Sequence, residues 1–99
     1  MPSYRVTIGI GALVAGVAPD VVVPAAAAGA AALTTVEASD LTVVAGLPRV
    51  VIRFTADDRP QAQQVAMSVL EATRAVAQPL TCTITRRVGG RWIDDAQRP

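Results

Sequence analysis

Apolar and polar residues alternate one by one in two stretches of this chain, and the two stretches share a pattern. Arg5-Val6-Thr7-Ile8-Gly9-Ile10 is matched later by Arg49-Val50-Val51-Ile52-Arg53-Phe54. A period of two is that of a half-buried strand, so strands are predicted over 3–10 and 48–55. Tyr4, Val6, Ile8 and Ile10 share one side of the first, and Ser3, Arg5, Thr7 and Gly9 share the other. In the second, Val50, Ile52 and Phe54 point in, while Arg49, Val51 and Arg53 point out. A third alternation sets Leu80, Cys82 and Ile84 against Thr81, Thr83 and Thr85, which turns Cys82 toward the core.

Residues 34–44 read as a further strand whose parity breaks. Val36 and Ala38 share one side, Leu41 and Val43 the other, so a bulge is expected near Ser39 and Asp40. A turn follows at 45–48. Gly89-Gly90 marks another tight turn, after which Arg91-Trp92-Ile93 can return as a short strand. Residues 94–99 read as a polar tail.

Two segments have helical character. Ala62, Val65, Ala66, Val69, Leu70, Thr73, Val76 and Ala77 recur at helical spacing, with Gln61, Gln63, Gln64, Ser68, Glu71 and Arg74 on the wet side. Asp57 or Asp58 is placed to cap this helix, Pro60 suits its first turn, and Pro79 is expected to stop it. Residues 25–33 form the other helix, with Asp20 as its expected cap and Gly29 permitting close packing.

The order is β-α-β-β-α-β in one domain spanning 1–99. Right-handed crossovers place the first and third strands side by side. The expected fold is therefore α+β: a ferredoxin-like sandwich with a four-stranded antiparallel sheet. Both helices cover one face, and a short C-terminal hairpin strand can add to the edge.

Composition narrows the chemistry. The chain is 52% hydrophobic but only 3% aromatic, so the core must be built from small aliphatic side chains. Net charge is +1, which gives no reason to expect nucleic acid or a membrane surface as partner. All nine basic residues are Arg, and the chain has no Lys, His or Asn. Codon bias explains that bias simply; recognition of anions by planar guanidinium forks is the functional alternative. One cysteine and no histidine leave no internal disulfide and no structural zinc site, and no cofactor or metal is expected. The stretch after Arg5 resembles a weak secretory signal, but its strand alternation argues against one, and a cytoplasmic setting is expected.

No catalytic constellation emerges. Gly9-x-Gly11 lacks the third glycine of a dinucleotide loop, since position 14 is Val, and a phosphate loop would need Lys where Val17 stands. Cys82 has no histidine to act as its base. The expected function is a small non-enzymatic interaction module that forms a homo-oligomer. Arg86, Arg91 and Trp92, around one hairpin, are the candidate interface residues; covering a core edge is the alternative role for Trp92. The second reading is a regulatory domain that binds a small anionic metabolite on the outward sheet face, through Arg5, Arg53, Thr83 and Arg87. Nucleic-acid binding is weaker, because the outward positions of the central strands carry no aromatic residue on which bases could stack.

Overall fold

The two copies of the repeat lie next to each other and run in opposite directions. The computed structural model describes residues 1–94. Its elements are β1 (Ser3–Leu13), a single 3₁₀ turn (Pro19–Val21), α1 (Val22–Ala31), β2 (Val36–Val44), β3 (Leu47–Thr55), α2 (Arg59–Arg74), β4 (Ala77–Val88) and β5 (Arg91–Asp94). The fold is α+β, with one antiparallel sheet in the order β2-β3-β1-β4-β5 and two helices. The sheet has five strands rather than four, because the Gly89-Gly90 turn returns the chain as β5. Asp94 pairs with Thr85 in that strand and so is not part of a tail; residues 95–99 lie outside the described residues.

β1 pairs β3 with Val6 opposite Ile52 and Ile8 opposite Val50, so the inward residues of both strands meet on one face. That face is closed by Ala26 and Ala30 of α1 and by Ala62, Val65, Ala66 and Val69 of α2. Tyr4 and Phe54 stack with ring centroids 6.1 Å apart and supply the core's aromatic content. With alanine so frequent at the helix positions, the backbones must come close together. Gly29 shows how close: a Cβ there would lie 2.7 Å from the Ser68 carbonyl oxygen and 2.8 Å from the Ala72 Cβ. Ser68 is thus not simply on a wet face, since its hydroxyl donates to the Gly29 carbonyl at 2.6 Å and ties the helices together.

Asp58 caps α2, its carboxylate accepting the Gln61 N–H at 3.0 Å. Asp20 does not cap α1. It sits in the 3₁₀ turn, and Val21 occupies the cap position with no side-chain hydrogen bond. Pro24 falls in the first turn of α1, where a missing N–H leaves no bond unmade. α2 ends at Arg74, before Pro79, because β4 begins at Ala77 opposite Leu13, and the Val76 carbonyl accepts the Val14 N–H at 2.9 Å. Pro79 is accommodated within β4 because β5 pairs only the far end of that strand, from Thr85 to Val88.

The β2 parity break is present but lies earlier than expected. Val36 faces Phe54 and Ala38 faces Arg53, leaving Glu37 as the extra residue of a bulge. Downstream, Leu41 faces Val50 and Val43 faces Pro48 on the helix side of the sheet. Cys82 also has helix-side parity, opposite Ile8, but it is exposed rather than buried. Leu70, Arg74, Pro79 and Leu80 line a shallow depression around it without covering it. Enough protein surrounds the thiol that desolvation raises its pKa above the ordinary value.

Candidate functional site

The antiparallel register decides which arginines meet. Arg49 of β3 lies opposite Gly9, and Arg5 lies directly opposite Arg53, with Thr85 on its other flank. All three residues alternate onto the sheet face away from the helices, as do Thr7, Val51 and Thr83. The Trp92 backbone pairs with Arg87, so Trp92 has the same parity and stands on this open face rather than over a core edge.

Trp92 reaches inward across β4. Its ring lies 4.5 Å from the Arg5 guanidinium carbon and 5.5 Å from that of Arg53. Both distances are within the range of a cation–π contact, worth about 0.5–2 kcal/mol depending on desolvation. The short strand β5 therefore places one half-buried indole against two neighbouring cations.

The two cations differ in their acidic company. Arg53 Nε donates to Glu37 Oε1 at 3.2 Å, and the same oxygen accepts the Ser3 hydroxyl at 2.9 Å. The Arg53 and Glu37 side chains are 35% and 33% exposed, so this pair adds at most about 1 kcal/mol. Arg5 has no acidic partner among the described residues, and its Nε is buried without a hydrogen-bond acceptor. Thr85 Oγ1 donates to the Arg5 carbonyl at 3.4 Å, a long contact to the backbone and not to the guanidinium.

The candidate residues therefore separate into two groups. Arg5, Arg53, Thr83, Arg87 and Trp92 share the open face. Arg86, opposite Tyr4 and Ile93, and Arg91, opposite Val88, alternate onto the other side of the hairpin and are exposed there. The hairpin is thus not one basic cluster. Glu37 had no place among the sequence-derived candidates. Its signal was the parity break in residues 34–44, which a bulge at Glu37 satisfies as well as one at Ser39.

A second feature lies at the opposite side of the sheet. β2 is the outermost strand there, and Leu41, Val43, Val44 and Leu47 of the β2–β3 hairpin are all exposed. Beside it an apolar groove of about 170 Å³ is lined by Ile10, Leu13, Pro19, Val22, Leu41 and Pro48. That volume is below the several hundred Å³ of a typical small-molecule site and suits an aliphatic side chain.

Among the described residues no cluster of three or more His, Cys, Asp or Glu side chains is placed to hold a metal ion. No described helix is long and apolar enough to cross a membrane. No family model, curated protein or solved structure matches the chain.

Proposed function

We propose that the protein is a small non-enzymatic self-association module, and that the β2–β3 hairpin is its contact surface. The observation that carries this reading is the exposed apolar hairpin on an outer strand. Residues 41–48 contain no charged side chain, and Val43 and Leu47 are 66% and 55% exposed. A long apolar edge is normally guarded by charge or covered. A second copy of this chain is the occupant that fits, since two uncharged hairpins meet about a two-fold axis with no like-charge repulsion. The groove beside the hairpin offers each copy a place for a leucine or valine of the other.

The contact runs through side chains rather than through a continued strand ladder. Asp40 Oδ1 accepts the Leu41 N–H at 2.8 Å and blocks that outward backbone donor. Reading the order β2-β3-β1-β4 as a ferredoxin-like sandwich with β5 added belongs to the same proposal. It is supported by the antiparallel pairing of β1 with both β3 and β4. A cytoplasmic setting is supported by the single cysteine.

Size-exclusion chromatography with light scattering over a concentration series tests the function. The wild type is expected at twice the chain mass or more. The Val43→Lys, Leu47→Lys double variant is expected to be a monomer with unchanged circular dichroism. A wild type that stays monomeric at the highest concentration sinks the proposal.

A further inference from the structure

We propose that Arg5 and Arg53, with Trp92 against them, form a binding site for an oxyanion group of a small metabolite, either a phosphate or a carboxylate. The site uses other residues than the self-association surface and does not depend on it.

Three observations converge. Arg5 and Arg53 are a directly opposed cross-strand pair of like charge, an arrangement that destabilises a sheet unless something negative offsets it. Among the described residues the acidic partner found is Glu37, which offsets Arg53 through its Nε. Arg5 Nε is buried and lacks an acceptor among the described residues, so a guanidinium donor there is missing a partner.

Trp92 explains how such a pair can be held ready. A guanidinium stacked on an indole is engaged through its face and offers its edge N–H groups as donors, apart here from Arg53 Nε, which Glu37 already takes. An anion with two or more oxygens can take a parallel pair of hydrogen bonds from a fork, a geometry that a single spherical chloride ion matches poorly. Thr7 and Thr83, a cross-strand pair one step along the same face, offer hydroxyls beside the site. Arg87, across from Trp92, adds a further positive charge on that face. Counting Arg5, Arg53 and Glu37 alone, the cluster carries an excess of positive charge that one anionic group balances.

Trp92 is the only tryptophan, so its emission reports directly on the site. The full chain is titrated at low ionic strength with inorganic phosphate and separately with malonate, against sodium chloride at matched ionic strength. A saturable change in emission is expected with at least one oxyanion and not with chloride. Response to phosphate alone assigns a phosphoryl ligand, and response to malonate alone a carboxylate.

Arg5→Gln is expected to weaken binding roughly 10- to 100-fold, the value of a charge-assisted pair of hydrogen bonds. Arg5→Lys is expected to weaken it too, because an ammonium has no fork. Arg91→Gln, on the other side of the hairpin, is expected to bind as the wild type. Should Arg5→Gln fail to fold by circular dichroism, Arg53→Gln carries the same comparison. Repeating the titration on the Val43→Lys, Leu47→Lys variant separates this outcome from self-association. No saturable response in the wild type, or undiminished binding by the folded glutamine variant, overturns the proposal. So does saturation by a short single-stranded oligonucleotide with no response to either small anion.

Discussion

The β2–β3 hairpin turns through Ala45-Gly46 and the β4–β5 hairpin through Gly89-Gly90, and all four residues have positive φ. Paired positive φ values are the signature of the type I′ turn, whose twist suits two antiparallel strands. Turns with closely similar φ values thus serve two different surfaces. The first hairpin ends in uncharged aliphatic residues that stand clear of the body of the protein. The second folds its only aromatic residue back across the sheet onto two arginines. A turn sets strand register; the residues two or three positions further on set the chemistry presented.

That contrast can be broken most severely at Trp92. Trp92→Ala removes a half-buried indole and uncovers two like charges, and it should lower stability by about 1–3 kcal/mol in a denaturant melt. Leu47→Ala, at the exposed hairpin, should change it by less than about 0.5 kcal/mol. Equal effects at the two positions would erase the distinction between an anchored and a free hairpin.

The turns themselves give a smaller and opposite pair of effects. Gly90→Ala puts a side chain at φ 82° and should cost about 1–2 kcal/mol. Ala45 already holds φ 53° with a Cβ, so Ala45→Asn should stabilise the protein by about 0.5–1 kcal/mol. Thermal melts of the two variants should therefore move in opposite directions.

The smallest effect lies on the helix side of β4. Partial desolvation by the surrounding protein raises the pKa of the exposed Cys82 thiol above the ordinary 9.0. As pH rises past that value, the unfolded thiol loses its proton before the folded one does, so stability should fall with increasing pH. Cys82→Ser should show a shallower decline between pH 8.5 and 10, roughly the range in which a free thiol ionises. An identical pH profile for the two proteins would show that the thiol is not desolvated.

The sheet centre was legible because its signals agree. In β1 and β3, alternation, β-branched residues and burial all indicate the same faces, and the register then follows. α2 was legible for the same reason, with Asp58, Pro60 and its apolar stripe in accord. Elsewhere local signals were overruled by tertiary ones. Proline at position 79 suggested a helix stop, yet pairing between Leu13 and Ala77 had already drawn the chain into β4. Parity turned Cys82 inward correctly, but parity carries no information on whether a helix lies above it. The residues of the proposed anion site were partly legible, because alternation alone sends Arg5 and Arg53 outward. Their direct opposition needed the register, and the approach of Trp92 needed the reach of a side chain across a whole strand.

The close approach at Gly29 has a consequence for how the molecule moves. α1 is ten residues long, has no charged side chain and no side-chain cap. A segment of that kind does not hold a helix alone in water. Its shape is lent to it by α2, through the Gly29 contact and the Ser68 hydroxyl. Hydrogen exchange should therefore find the amides of α1 no better protected than those of α2, on which α1 rests. The arginine face lies on the other side of the sheet from both helices.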